Sequence, residues 1–385
     1  LSTMMDIPLS LTRILEYGAS VHGSTTVTTW HGEGTGSEFD PAEEVTFRDI
    51  AARAAAFAHA IHDDLGITGD ERVGSFMWNC AEHLEVMFGT ACKGAIFAPL
   101  NKQLMNDQIR HIINHAEISA IVCDPRLAQQ LGKVLVGTDS VKSVIITGAQ
   151  PAQQFAHLFP RGIEVYSYEA LIDGRSTVYD WPELDERTAA ALCYSTGTTG
   201  APKGVLYSHR SLYLEAMQLR SSDSLCITHG ETFLCCIPIC HVLSWGVPFT
   251  CFMTGTPLVL PDADVSAPTL AKAIAATSPR VAHGVPTIWI QLFVHYMHHP
   301  PERMTLTEIY AGGSPVPPTL IKMWEERYGV DVVHVWGMVE TSTVGSVARP
   351  PQGASGDTRW AYRISQGRIP ASLEYRCLLY TSDAA

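Results

Sequence analysis

After Thr46, whose hydroxyl can cap a helix, apolar side chains fall at Ile50, Ala54, Phe57, Ala58, Ile61 and Leu65. That spacing of three and four predicts a helix that Gly66 stops. Apolar runs at 72–77 and 95–100 read as strands, each followed by a helical pattern, 81–92 and 106–116. Residues 120–122 and 143–146 read as short buried strands around another helix, and 189–193 as a strand that Tyr194 ends. The alternation then resumes with a helix from about 208, a strand at 232–236, a helix past His241 and a strand at 258–260. Helices at 267–276 and 286–298 follow, then strands at 309–311 and 332–336 flanking a helix at 317–328. Repeated β-α units predict an α/β protein with a second α/β layer. Residues 148–155, polar and glutamine-rich, read as a surface loop, and there is no internal repeat.

Composition narrows the class. With 46% hydrophobic and 17% charged residues, the chain has the makings of a compact core and not of a disordered segment. Its net charge of −13, with no basic run, argues against nucleic acid as a partner. Residues 232–261 hold no Asp, Glu, Lys or Arg, but Pro238, Pro248, Pro257 and Pro261 cut them into strand and helix lengths. A spanning helix needs about 20 unbroken apolar residues, so no membrane span is expected. The ten cysteines are scattered through apolar segments and no secretory leader precedes them, so a reducing cytoplasm is the expected location. Cys235, Cys236, Cys240 and His241 stand close together, yet neighbours in a strand face opposite ways and suit one tetrahedral metal site poorly.

The chemistry concentrates at 194–204, YSTGTTGAPKG, directly after the strand at 189–193. Gly197, Gly200 and Gly204 let the backbone approach a ligand, Ser195, Thr196, Thr198 and Thr199 offer hydroxyls, and Lys203 adds a point charge. Such a loop at a strand's carboxyl end is built to hold phosphates. It is not a Walker loop, which needs glycine before the lysine where Pro202 stands. The string resembles the phosphate-loop signature of the adenylate-forming superfamily: acyl-CoA synthetases, luciferases and the adenylation domains of peptide synthetases.

Further segments extend the resemblance from about Met5 to Arg376. Gly312, Gly313, Ser314 and Pro315 form a glycine turn at a strand end, which in the family packs against adenine. The stretch Trp336, Gly337, Met338, Val339, Glu340, Thr341 is similar to the aromatic-G-M-T-E-T segment. By that match Trp336 stacks on adenine and Glu340 holds magnesium together with the Thr196 hydroxyl. Val339 departs from the pattern, standing where the family usually has a threonine that meets the α-phosphate. The stretch at 238–246, PICHVLSWG, resembles the P-x-x-H-V-x-x-W-G segment of medium- and long-chain fatty acyl-CoA synthetases. There the histidine, here His241, lies beside the reacting carboxylate, and the tryptophan, here Trp245 before Gly246, gates the acyl tunnel. The segment also reads as a core helix with a packed His and Trp. Residues 93–101 match the core strand of the superfamily, Lys102, Gln103 and Leu104 stand where the synthetases often carry an arginine, and Gln366, Gly367, Arg368, Ile369 and Pro370 match its Q-G-R-P turn.

The resemblance implies the large N-terminal domain of an adenylate-forming enzyme over 1–376, made of two packed α/β sheet subdomains and the start of a β-barrel. It implies ATP, magnesium and coenzyme A as cofactors or co-substrates and a medium- or long-chain fatty acid as the acid, with Lys203, Glu340 and His241 as catalytic residues. The family's hinge, ribose-binding aspartate and small C-terminal domain are expected beyond the point where this sequence stops, which would leave a fragment weak or inactive. Residues 377–385, CLLYTSDAA, resemble a translated sequencing adapter and are set aside as non-native. Two other readings stay open: a non-catalytic protein that binds nucleotide or acyl chain on the same scaffold, and a ligase for an aryl or amino acid. Homodimerisation is also open.

Overall fold

The computed structural model describes residues 2–32, 42–195 and 201–376. These build two twisted sheets with helices between and around them. The larger sheet has eight strands in the order Thr343–Val347, Asp331–Met338, Glu308–Gly312, Val281–Gly284, Phe233–Cys235, Leu258–Leu260, Thr26–Trp30 and Ala42–Thr46. It is parallel except at its two edges, where Ala42–Thr46 and Thr343–Val347 run antiparallel to their neighbours. The second sheet has seven, in the order Glu164–Ser167, Ser143–Ile146, Ile118–Cys123, Arg72–Phe76, Ile96–Pro99, Ala189–Tyr194 and Gly204–Ser208, antiparallel only at the last pair. Parallel strands need crossover helices, and these cover the sheet faces.

The predicted helices form for the predicted reasons. Phe47–Asp63 opens on a capping box, the Asp49 amide donating to Thr46 Oγ1 at 3.2 Å and the Thr46 amide to Asp49 Oδ2 at 2.8 Å. Ala81–Cys92 is buried on nearly every side, His83 and Glu85 included, and lies in the core between the sheets, where one hydrophobic cluster runs from Phe97 and Cys193 through Phe88 to Phe233 and Leu258. No helix is long and apolar enough to cross a membrane among the described residues.

Asn79 ties the sheets together. Its amide donates to the carbonyls of Ile237 (2.7 Å) and Cys235 (3.3 Å), its Oδ1 accepts from the Ile239 amide (3.0 Å), and its backbone bridges Asp262. Arg126 adds a second tie, gripping Asp124 at 2.6 Å and Asp262 at 2.8 Å.

One strand is added and one expectation is corrected. The helix expected from about 208 is His209–Leu219, capped by Ser208, but before it the loop at 194–204 joins two antiparallel strands, Ala189–Tyr194 and Gly204–Ser208. A core helix does not carry His241 and Trp245. Residues Val242, Leu243, Ser244, Trp245 and Gly246 all have positive φ, from 39° to 75°, a left-handed turn that precedes the right-handed helix Val247–Thr254. Of the expected barrel, the described residues hold one isolated bridge, Val347 to Arg368.

Candidate active site

The carboxyl ends of strands from both sheets meet at a cavity of about 340 Å³. Ser195 closes the strand Ala189–Tyr194, Gly313 follows Glu308–Gly312, and Gly337, Met338, Val339 and Glu340 continue Asp331–Met338. His241 and, in the left-handed turn that follows it, Val242 and Trp245 also line the cavity. Of the candidate residues, Ser195, His241, Trp245, Gly313, Gly337, Met338, Val339 and Glu340 thus come together on one cavity. Lys203, Gly246, Gly312, Ser314 and Trp336 are close in sequence to that wall but do not line it. Thr196, Gly197, Thr198, Thr199 and Gly200 lie outside the described residues.

The base of the hairpin is pinned. The Ser195 amide donates to the Lys203 carbonyl at 2.9 Å, and the Lys203 amide to Ser195 Oγ at 3.0 Å. Lys203 itself is exposed, so its ammonium is free to turn to an anion. Tyr207, on the returning strand, donates its buried hydroxyl to the Val339 carbonyl and so couples the hairpin to the Glu340 turn. Burial holds that phenol well above its usual pKa, which keeps it a donor.

Close backbone approach explains the glycines. A Cβ on Gly337 would lie 1.6 Å from the Thr343 carbonyl oxygen, at the irregular register where the strand leaves its partner. A Cβ on Gly312 would lie 2.3 Å from the Val335 carbonyl oxygen and 3.0 Å from the Trp245 ring. Trp336 packs over Gly345 and still exposes 41% of its surface, leaving an aromatic face open. Thr341 caps its own turn, accepting from the Met338 amide at 3.1 Å and donating to the Thr343 carbonyl at 2.8 Å. Glu340 stays exposed and makes no ion pair among the described residues, so its oxygens fit a hard cation such as magnesium.

His241 is held neutral, its pKa lowered by burial and then by the charge of Lys102. The sequence placed Lys102 near the site without giving it a role. It is 8% exposed, donates to the Met77 carbonyl at 3.1 Å and sits 4.1 Å over the Trp78 ring, a buried cation facing the Cys240 and His241 loop. A neutral imidazole beside a cation can donate a hydrogen bond to a carboxylate without forming an ion pair with it.

The left-handed turn is costly, roughly 4–8 kcal/mol for four non-glycine residues, and side chains from distant segments hold it. Ser244 Oγ donates to the Ile237 carbonyl at 2.8 Å, His283 Nε2 lies 3.1 Å from the Ser244 carbonyl, and Thr343 Oγ1 donates to the Val242 carbonyl at 3.2 Å. Cys235, at the end of its strand, and Cys236, just after it, are buried thiols, and no group of three or more metal-ligating side chains occurs among the described residues.

The chain matches the AMP-binding enzyme family over residues 17–378. It belongs to that family. This AMP-binding enzyme is 32% identical to a medium-chain-fatty-acid–CoA ligase of Ectopseudomonas oleovorans, over 98% of this chain and 67% of that one. It is equally identical, 32%, to a 3-methylmercaptopropionyl-CoA ligase of Ruegeria pomeroyi, over 98% of this chain and 68% of that one. The chain therefore spans about two thirds of the length of these relatives. Among solved structures it resembles a long-chain-fatty-acid-CoA ligase from Archaeoglobus fulgidus, with a TM-score of 0.77 at 21% identity over 96% of this chain and 72% of that one. The anthranilate CoA ligase AuaEII gives a TM-score of 0.79 at 18% identity over 95% of this chain and 64% of that one. Both structures show the fold, two mixed α/β sheets, and nothing finer.

Proposed function

We propose that this AMP-binding enzyme holds the nucleotide and acid sites of an ATP-dependent ligase that joins an aliphatic carboxylic acid, the class that includes fatty acids, to coenzyme A. One observation carries the reading: the hairpin base at Ser195, the turn bearing Glu340, and the segment from His241 to Trp245 line a single cavity together with apolar side chains. The acid's carboxylate oxygen attacks the α-phosphorus of ATP and the bond to pyrophosphate breaks. The coenzyme A thiolate then attacks the acyl carbon, and AMP leaves with the bonding pair. Positioning and charge stabilisation supply most of the rate in such phosphorus chemistry. Lys203 and the loop hydroxyls would hold pyrophosphate, neutral His241 would donate to the acid, and Trp336 would stack on the adenine. Glu340 and Thr196 would hold magnesium, which when bound offsets phosphate charge. The buried, unpaired thiols of Cys80, Cys92 and Cys123 favour a reducing, cytoplasmic setting.

The test is isotope exchange between pyrophosphate and ATP with octanoate, on the wild-type chain, Lys203→Ala and Glu340→Gln. Acid-dependent exchange is expected, lowered about 100-fold in either variant. Exchange with an amino or aryl acid but no aliphatic acid would shift the acid class. ATP binding with no exchange for any acid would favour a binding-only scaffold, the reading that Val339 supports by lacking the hydroxyl.

A further inference from the structure

The cavity's apolar lining includes Trp245, Val242, Val335 and Val344. Its volume of about 340 Å³ is at the low end for ligand pockets. A nucleotide must share it with the acid, so the acyl group has room for few carbons unless Trp245 moves aside. What stands behind Trp245 decides whether it can.

Behind it is His283, 0% exposed, its ring edge-on to Trp245 at 5.2 Å and to Phe233 at 5.2 Å on its other flank. Burial lowers its pKa to about 4, so the ring is neutral. Its Nε2 lies 3.1 Å from the Ser244 carbonyl and 3.2 Å from Ser244 Oγ, which fits an Nε2–H donor. Ser244 Oγ in turn donates to Ile237, and Cys235 Sγ lies 3.6 Å from the same oxygen. The imidazole thus fills the space behind the indole, and it ties down the turn that carries the indole. It also makes that space a patch of imidazole, hydroxyl and thiol, not a methylene-lined channel for an alkyl tail. The Nδ1 atom has no hydrogen-bond partner among the described residues, so this arrangement is not the one that satisfies every buried polar atom.

We propose that His283 is a specificity-determining residue that fixes Trp245 as the end wall of the acyl site, so that the acid taken is short. This rests on the acid-activating function proposed above and narrows its substrate class. The relatives leave the matter open, since a medium-chain ligase and a 3-methylmercaptopropionyl-CoA ligase are both 32% identical to this chain.

The experiment is calorimetry on the full 385-residue chain with AMP and with hydrolysis-resistant acyl-sulfamoyl adenosines carrying propionyl, octanoyl and dodecanoyl groups. Wild type should bind the propionyl compound at least about ten-fold more tightly than the dodecanoyl one. His283→Ala, which opens the space and releases Ser244, should bring the two within about three-fold. His283→Met, which refills the space, should restore most of the preference, and AMP affinity should match in all three proteins. If wild type takes dodecanoyl as tightly as propionyl, the short-acid inference is wrong while the function proposed above survives. An unchanged preference in His283→Ala with normal AMP binding removes His283 from the role. Failure of AMP and every acyl compound to bind wild type overturns the function itself. Should His283→Ala fail to fold, the wild-type series and His283→Met still decide.

Discussion

Replacing Asn79 by alanine should destabilise the protein by about 3–5 kcal/mol, because one side chain serves three buried backbone groups. The carbonyls of Ile237 and Cys235 lose their amide donor and the Ile239 amide loses its acceptor. Each buried group left unpaired costs about 1–3 kcal/mol, and a water entering the vacated space would recover part of the sum. Asn79 is 5% exposed, so bulk solvent cannot satisfy these groups without local opening. Asn79→Asp separates hydrogen bonding from packing. The carboxyl keeps the shape and can still accept from Ile239, but it turns oxygen toward two carbonyl oxygens. If hydrogen bonds dominate, the aspartate variant falls at least as far as alanine; if packing dominates, it stays near wild type. Urea titration by fluorescence, read as the midpoint shift at constant slope, measures both. A loss below about 1 kcal/mol for alanine, or a near-neutral aspartate, would refute the argument. The segment held this way leads directly to His241, so acyl-adenylate affinity should fall in Asn79→Ala even under conditions where it remains folded.

Two further outcomes follow from the same contacts. Hydrogen bonds to Asp262 and then Glu43 raise His31 from 6.5 to about 9, with Arg126 facing the same Asp262. A raised folded-state pKa gives stability that is complete below about 6.5 and lost as pH climbs through about 9, so the urea midpoint should fall across that window and fall less in His31→Gln; identical pH profiles would count against the pairing. Val339→Thr restores a hydroxyl on a half-buried cavity position and should speed acid-dependent exchange about ten-fold, the worth of one charge-assisted hydrogen bond gained in the transition state. An unchanged rate would mean that the position does not face the α-phosphate.

Helices were legible because their signals are local. Thr46 and its apolar period, or the run that forms Pro286–His298, state their fold within a few turns. The edge strands were not. Gly204–Ser208 keeps Leu206 exposed and Tyr207 buried, a half-buried alternation only five residues long that begins inside a loop signature. Ala42–Thr46 is likewise a short, largely exposed edge strand, Thr26–Trp30 and Thr343–Val347 are buried but only five residues long and rich in threonine, serine or glycine, and in Val281–Gly284 a histidine and a glycine interrupt the apolar run. The candidate site was readable from its motifs, since a hydroxyl-rich glycine loop and a glycine–acid turn advertise their chemistry. His283 was not, because its meaning comes from Ser244, 39 residues earlier in the chain.

The turn from Val242 to Gly246 shows why local reading stops there. Its residues, apolar but for Ser244 and Gly246, would favour right-handed backbone in isolation, and the left-handed form costs roughly 4–8 kcal/mol. Three hydrogen bonds to Ser244 and Val242, from or to Ile237, His283 and Thr343, return about 1.5–4.5 kcal/mol net. Burying Leu243 and Trp245, 1% and 8% exposed, returns about 3–6 kcal/mol more. The two sides nearly cancel, so the handedness is decided by partners on three other segments and not by the five residues themselves. A turn so close to balance is also the element of the cavity wall that a single substitution can move, which makes His283 the point at which the fold and the choice of acid meet.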